Sequence, residues 1–102
     1  MIITKYDAQE IAKDSMKYAG YGINHHGGYY TVFSDGDFET VIAVNKDNED
    51  GHKYFSIYIE NAIGDETKDT DWEQTEKLNK EELEKKIYEI AQKAKEKYLS
   101  NK

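Results

Sequence analysis

Hydrophobic and polar residues follow two different periods along the chain, and these periods predict a helix near each end with strands between them. Near the N-terminus, apolar and small residues recur every three or four positions over residues 5–19, which is typical of a helix with one buried face. Thr4 and Asp7 stand before this segment at the spacing of a capping box, and Gly20 and Gly22 follow it as natural terminators. We therefore predict a first helix with a small apolar face.

The C-terminal helix has the strongest pattern in the chain. Asn79 and Glu82 stand at the two positions of a capping box. Glutamates crowd the first turns and lysines the last turns, which is the distribution that the helix dipole favours. The predicted buried stripe consists of Leu83, Ile87, Ile90, Ala91, Ala94 and Tyr98.

The middle of the chain alternates with a period of two, which predicts strands. They fall at residues 29–33, 38–45 and 54–60, with a short fourth edge strand at 72–75 and an acidic turn at 46–51. The predicted fold is therefore α+β: an antiparallel three- to four-stranded sheet flanked by an N-terminal and a C-terminal helix, in the order α-β-β-β-(β)-α. We expect both helices on one face of the sheet, in a single domain over residues 1–102.

Asp35 and Gly36 predict a tight hairpin, since this pair readily adopts the positive φ angles of such turns. With these two residues at the tip, Phe33 pairs with Phe38 and Tyr29 with Ile42. A slip by one residue would exchange the two faces of the hairpin. The predicted core face carries Phe33, Phe38, Ile42 and Val44, and the other face Tyr30, Val32, Glu39, Val41 and Ala43.

The composition adds a strong asymmetry of charge. The chain of 102 residues has a formal net charge of −7 and its 14 basic residues are all lysines. Residues 34–76 hold thirteen acidic residues against three lysines, a formal charge of −10. Such a surface repels nucleic acid and anionic membranes, so the expected partner is a basic protein surface.

Several classes of protein are disfavoured by what the sequence lacks. Without cysteine, the chain has no disulfide, thiolate metal site or cysteine nucleophile. The apolar run at the N-terminus is too short for a signal peptide, and no stretch has the length of a membrane span. The expected protein is soluble and cytoplasmic, without a cofactor.

Three groups of residues raise the question of metal binding. His25, His26 and His52 lack a ligand at helical spacing, so we expect no metal site there. Residues 46–57 fail as a calcium loop because lysine and isoleucine fall on ligand positions. Residues 65–76 place carboxylates better but lack the glycine and the flanking helices, which favours a solvated acidic loop.

Two alternatives belong to other functional classes. Clustered carboxylates at Asp35, Asp37, Glu39 and Glu60 would suit a small metal-dependent nuclease or other hydrolase. The lysine-rich C-terminal helix would suit a structural or regulatory adaptor. The order of elements also matches the double-stranded-RNA-binding domain, but glutamates stand where that fold needs phosphate-binding lysines.

The main hypothesis is that an acidic surface carrying tyrosines binds a basic groove of a partner protein. Tyrosine is favoured in protein interfaces, and acidic groups steer association with such a groove. The candidate partner-binding residues are Asp35, Asp37, Glu39, Asp47, Glu49, Asp50, Tyr54, Tyr58, Glu60, Asp65, Glu66, Asp69 and Asp71. We expect no catalytic and no metal-binding residue among them.

The acidic middle, the tyrosines at positions 29, 30, 54 and 58, and the Lys/Glu-rich last helix together resemble small anti-CRISPR proteins that inhibit type II-A CRISPR effector nucleases. The resemblance covers the length and acidity of the whole chain. It implies a non-enzymatic inhibitor from a phage or other mobile element that evades host defence. Because the guide and target channels of such nucleases are basic, it also implies a nucleic-acid mimic that blocks guide RNA loading or nucleic-acid binding.

Overall fold

The fold is one antiparallel sheet with two helices packed together on one of its faces. It is seen in a computed structural model that describes residues 1–18, 26–49, 52–76 and 78–100. The sheet has the strand order β1-β2-β3-β4, and each strand is antiparallel to its neighbours. In chain order the elements are α1 (Lys5–Tyr18), β1 (His26–Asp35), β2 (Phe38–Glu49), β3 (His52–Ile63), β4 (Glu66–Glu76) and α2 (Lys80–Ser100). This confirms the predicted α+β class and order of elements, with the fourth strand present.

Both predicted capping boxes are present. The Thr4 hydroxyl accepts a hydrogen bond from the Asp7 backbone N–H at 3.1 Å, and the Asp7 carboxylate accepts one from the Thr4 N–H at 3.0 Å. Asn79 and Glu82 make the same reciprocal pair at 2.9 and 3.1 Å. Each box satisfies two backbone donors that a helix otherwise leaves without a partner, which fixes where α1 and α2 begin.

The core lies between the sheet and the two helices. The predicted stripe of α2 is buried from Leu83 to Ala94. It packs against Ile42 on β2 and Ile57 on β3, both fully buried, and α1 contributes the small buried residues Ala8 and Ala12. Because those α1 residues are small, α1 can approach the sheet and α2 closely.

The hairpin between β1 and β2 departs from the predicted register. Asp35 pairs with Phe38 and Phe33 with Thr40, so the turn is formed by Gly36 and Asp37 rather than by Asp35 and Gly36. Gly36 takes a φ of 59°, which a residue with a side chain rarely adopts.

A bulge between Thr31 and Phe33 then changes the faces of β1. It allows two consecutive residues, Val32 and Phe33, to be buried on the helix side, where Phe33 also contacts the Tyr98 ring. The prediction that Val32 and Tyr30 face away from the core is therefore wrong: Val32 belongs to the core, and Tyr30 packs against it.

The β2–β3 hairpin and β4 are longer than predicted. The pairing of β2 with β3 continues through Lys46↔Phe55 to Glu49↔His52, so residues 46–49 are strand and not an acidic turn. The fourth strand spans eleven residues instead of residues 72–75. Residues 66–76 therefore form an extended strand and not the predicted acidic loop. An extended strand does not wrap around a calcium ion as a calcium-binding loop does.

The two outer strands of the sheet differ at their edges. Backbone hydrogen bonds from Ile3 to Val32 and from Ser34 to Met1, at 3.1 and 2.9 Å, place the N-terminal segment along β1. On β4, the carboxylate of Asp71 accepts the backbone N–H of Trp72 at 2.8 Å. Acidic side chains and an internally satisfied N–H both discourage a further strand from adding to β4.

Candidate functional site

The candidate site is the face of the sheet opposite the helices, which we call the exposed sheet face. In the part of the chain that the structure describes, no helix or strand covers this face. It consists of alternate residues from all four strands, because successive side chains of a strand point to opposite sides. Its members include Tyr29, Thr31, Glu39, Val41, Ala43, Tyr54, Ser56, Tyr58, Glu60, Thr70, Trp72 and Gln74.

Three aromatic residues form one row across this face. Tyr29 pairs with Ala43, Ala43 with Tyr58, and Tyr58 with Trp72, so the row crosses all four strands. At the usual spacing of strands it is roughly 14 Å long. We call Tyr29, Tyr58 and Trp72 the aromatic row.

Two of the three rings of the row are in contact, and the two end residues are largely exposed. The Tyr58 and Trp72 rings lie 5.2 Å apart between centroids in an edge-on arrangement, a favourable geometry for aromatic pairs. Ala43 is only 5% exposed although it lies on this face, which indicates that neighbouring side chains cover it. Tyr29 and Trp72 nevertheless remain 62% and 61% exposed, which is unusual for large aromatic residues.

A carboxylate stands directly beside the row. Glu60 is two residues from Tyr58 on the same face of β3, and its Oε1 accepts the Thr67 hydroxyl at 2.6 Å. Partial desolvation raises the pKa of the Tyr58 phenol, and the nearby Glu60 carboxylate and Tyr29 phenol raise it further. Glu39 lies diagonally across from Glu60, since Glu39 pairs with Ala62 and Glu60 with Val41.

Four of the predicted acidic residues gather at one end of the sheet. The β1–β2 and β3–β4 turns lie side by side there, joined by a hydrogen bond from the Gly64 N–H to the Asp37 carbonyl at 2.8 Å. The four side chains are exposed, and Glu66 is paired with Lys68 at 3.0 Å. We call Asp35, Asp37, Asp65 and Glu66 the acidic end.

The thirteen predicted partner-binding residues therefore do not share a single face. Glu39, Tyr54, Tyr58 and Glu60 lie on the exposed sheet face, where Glu39 and Glu60 are nearer the acidic end and Tyr54 is toward the opposite end. Asp69 and Asp71 line a groove between β4 and α2 on the helix side. Asp50 and His25, and the side chains of Asp47, Glu49, His26 and His52, lie outside the described residues.

Asp69 is engaged within the protein. Its carboxylate accepts hydrogen bonds from the Asn61 amide at 2.5 Å and from Lys97 at 2.6 Å, and Glu73 on the same strand pairs with Lys86 at 3.1 Å. These contacts join β4 to α2. Asp69 is therefore better placed to stabilise the fold than to bind a partner.

Asp69 should also make the stability depend on pH. The Asn61 hydrogen bond, and then Lys97, lower the pKa of this carboxyl in the folded protein. Its contribution is thus complete above the unfolded pKa of about 3.9 and is lost as pH falls through the lower folded pKa. We expect the urea midpoint of Asp69→Asn to fall less between pH 5 and pH 2 than that of the parent protein. Asp71→Asn removes the same charge from the same strand, and an equal effect in that variant would contradict the assignment.

Sequence reasoning missed two members of the aromatic row. Tyr29 was expected opposite Ile42 on the core face, and Trp72 was assigned to an edge strand without a role. Both positions depend on the registers of the hairpins, which the local pattern did not fix. The alternation that predicted a strand over residues 54–60 was the available signal, since it implies that Tyr58 and Glu60 lie on one face of β3, as the structure shows.

No protein-family model, curated protein or solved structure matches this chain. The arrangement of its own residues is therefore what bears on function. Within the described residues there is no group of three or more His, Asp or Glu side chains that could hold a metal ion. Neither described helix is long and apolar enough to cross a membrane.

Proposed function

We propose that the chain is a non-enzymatic inhibitor that binds a basic nucleic-acid-binding protein through the exposed sheet face and the acidic end. The observation that carries this proposal is the aromatic row, which lies beside the Glu60 carboxylate on a sheet face that no helix or strand of the described residues covers. Contiguous exposed aromatic surface marks a place where something binds. The surrounding charge then restricts what that partner is.

The charge favours a basic protein over nucleic acid. Aromatic rings on a sheet can stack with bases, as in several RNA-binding folds. Here, however, the row lies beside Glu60, and Glu39 and the four acids of the acidic end lie farther along the same strands; all of these carboxylates repel phosphates. The same carboxylates attract lysine and arginine side chains and accelerate encounter with a basic groove.

A type II-A CRISPR effector nuclease is the partner to test first, as the resemblance to anti-CRISPR proteins implies. Its guide RNA occupies a positively charged channel. A protein bound in that channel would keep the RNA out, so the proposed step is guide RNA loading, in the cytoplasm. The proposed contact surface comprises Asp35, Asp37, Glu39, Tyr54, Tyr58, Glu60, Asp65 and Glu66, together with Tyr29 and Trp72.

The test is assembly of effector and guide RNA in the presence of the protein, measured by gel mobility. We expect assembly to be blocked at low salt, with weaker inhibition as the ionic strength rises, because surface charges are screened over about 10 Å at 0.1 M. Changing Asp35, Asp37 and Asp65 together to Asn should weaken inhibition by about tenfold or more, through loss of three attractive charges.

The matched control changes Glu81, Glu89 and Glu96 to Gln. These three exposed residues lie on α2, so this variant loses the same net charge elsewhere. Equal loss of inhibition in both variants would mean that overall charge matters and not the acidic end. If effector and guide RNA assembled fully in the presence of excess parent protein, the effector would not be the partner. Degradation of the RNA in the presence of Mg²⁺ would instead favour the hydrolase alternative.

A further inference from the structure

We infer that the aromatic row binds arginine side chains of the partner, in preference to lysine side chains. The inference rests on the proposed function and deepens it, because it names the chemistry that the exposed sheet face recognises. The occupant is thus an arginine-bearing segment of a basic protein. Three features of the face support it: accessible ring surface, an adjacent carboxylate, and the direction and length of the row.

The first feature is the accessible ring surface. Tyr29 and Trp72 stand at the two ends of the row, and more than half of each side chain is exposed. A guanidinium is planar and weakly hydrated, so it can stack on an aromatic face and keep its N–H groups directed outward. An ammonium is compact and strongly hydrated, and it gains less from such a surface.

The second feature is a carboxylate at the edge of the rings. Glu60 lies beside Tyr58, and the hydrogen bond from the Thr67 hydroxyl to its Oε1 holds the carboxylate in place. A stacked guanidinium can direct its outer N–H groups at this carboxylate and form charge-assisted hydrogen bonds. The combination of a ring face and an adjacent carboxylate matches both parts of an arginine side chain.

The third feature is the shape of the row. The row crosses the strands instead of following one, and small or short side chains, Ala43 and Ser56, lie between and beside its rings on the same face. The rings therefore stand along a line of roughly 14 Å across the four strands, with no large side chain between them at Ala43. An extended or helical segment with two arginines can place one at each end of the row, with Glu60 close to the middle.

The experiment uses two synthetic peptides, a hexa-arginine and a hexa-lysine, at the same ionic strength. Trp72 is the only tryptophan of the chain, so its fluorescence reports directly on the row. We expect the arginine peptide to bind about tenfold more tightly, as one or two exposed cation–π contacts would give. We also expect it to change the Trp72 emission, whereas the lysine peptide leaves that emission almost unchanged.

Two variants and one control locate the effect. Tyr29→Leu and Glu60→Gln should each reduce the preference for arginine by about threefold or more, through loss of a stacking surface or of a charge-assisted hydrogen bond. Tyr6→Leu is the matched control, because Tyr6 is equally exposed, at 66%, but lies on α1. It should bind both peptides as the parent protein does. Unfolding curves confirm that each variant is folded.

The outcomes separate this inference from the proposed function. Equal affinity for the two peptides overturns the arginine preference but leaves a basic partner in place. A preference that survives both Tyr29→Leu and Glu60→Gln shows that arginine binds elsewhere, and it overturns the assignment to the row. Failure of both peptides to bind at low salt overturns the proposed function as well. Tight binding of single-stranded oligo(U) with a Trp72 response would identify the row as a base-stacking surface and refute the inference.

Discussion

Replacing Ile87 by alanine should destabilise the protein by about 2–5 kcal/mol, the range observed when large aliphatic side chains are truncated in a packed core. Ile87 is fully buried at the centre of the α2 stripe and belongs to the cluster that joins both helices to the sheet. Alanine is also a better helix former than isoleucine, so the loss reports packing and not helix propensity. A domain of this size has only about 5–15 kcal/mol of stability, so the fraction at risk is large.

The matched control for this substitution is Leu99→Ala. Leu99 lies on the same helix but is 55% exposed, so its truncation should change the free energy of unfolding by less than about 0.5 kcal/mol. Urea unfolding followed by far-ultraviolet circular dichroism measures both variants. If the two losses were equal, α2 would not be anchored through the stripe that includes Ile87.

Local signals were sufficient to predict the helices. A capping box involves residues three positions apart, and the apolar stripe of a helix repeats within one or two turns. Thr4 with Asp7, and Asn79 with Glu82, therefore indicated the starts of α1 and α2 before any tertiary contact was known. The buried stripe of α2 was predicted for the same reason.

The register of the β1–β2 hairpin was not available from local signals. The pattern of Tyr29 to Phe33 is compatible with either face, and the choice is made by packing. A bulge buries both Val32 and Phe33, one against the core and one against Tyr98 of the distant helix α2. The burial of these two side chains depends on contacts between residues far apart in the sequence, so an alternating pattern alone does not reveal it.

The fourth strand was underestimated for a different reason. Among its eleven residues Trp72 is the one large apolar side chain, and acids and threonines make up most of the rest. It is held by backbone pairing with β3 and by ion pairs from Asp69 and Glu73 to lysines of α2. Residues with the composition of a loop thus complete the sheet, and Trp72 joins the aromatic row only because that strand is formed.

The predicted acidic face was also wrong, because it was inferred from charge along the sequence and not from the sheet. Charge along the sequence suggested one acidic face, but a strand directs alternate residues to opposite sides of the sheet. Glu60 therefore reaches the exposed sheet face, while Asp69 and Asp71 lie on the helix side. The acidic end was a more predictable grouping, because alternate hairpin turns of an antiparallel meander, here β1–β2 and β3–β4, lie at the same end of the sheet.

Asn61 should be the polar residue whose loss is most costly, because it connects three strands and α2. Its side-chain oxygen accepts the Thr40 hydroxyl at 2.5 Å, and its amide donates to Asp69 at 2.5 Å, which in turn binds Lys97. Thr40 is fully buried and Asn61 is 7% exposed. Asn61→Leu leaves the Thr40 hydroxyl without this acceptor in a site that water does not reach, which should cost about 1–3 kcal/mol.

A double-mutant cycle with Thr40→Val tests whether this cost comes from the hydrogen bond or from a change in packing. Both replacements keep approximately the volume of the original side chain. If the buried hydrogen bond is responsible, each single variant leaves one partner of that bond unsatisfied and the double variant leaves neither, so the loss of unfolding free energy in the double variant should be smaller than the sum of the two. The hydrogen bond from Asn61 to Asp69 is lost in both Asn61→Leu and the double variant, so it cancels in the cycle. A coupling of about 0.5–3 kcal/mol is expected for groups in direct contact. Strictly additive losses in urea unfolding would mean that Thr40 and Asn61 act independently, and that β2 and β3 are joined at this point by apolar packing and backbone pairing alone.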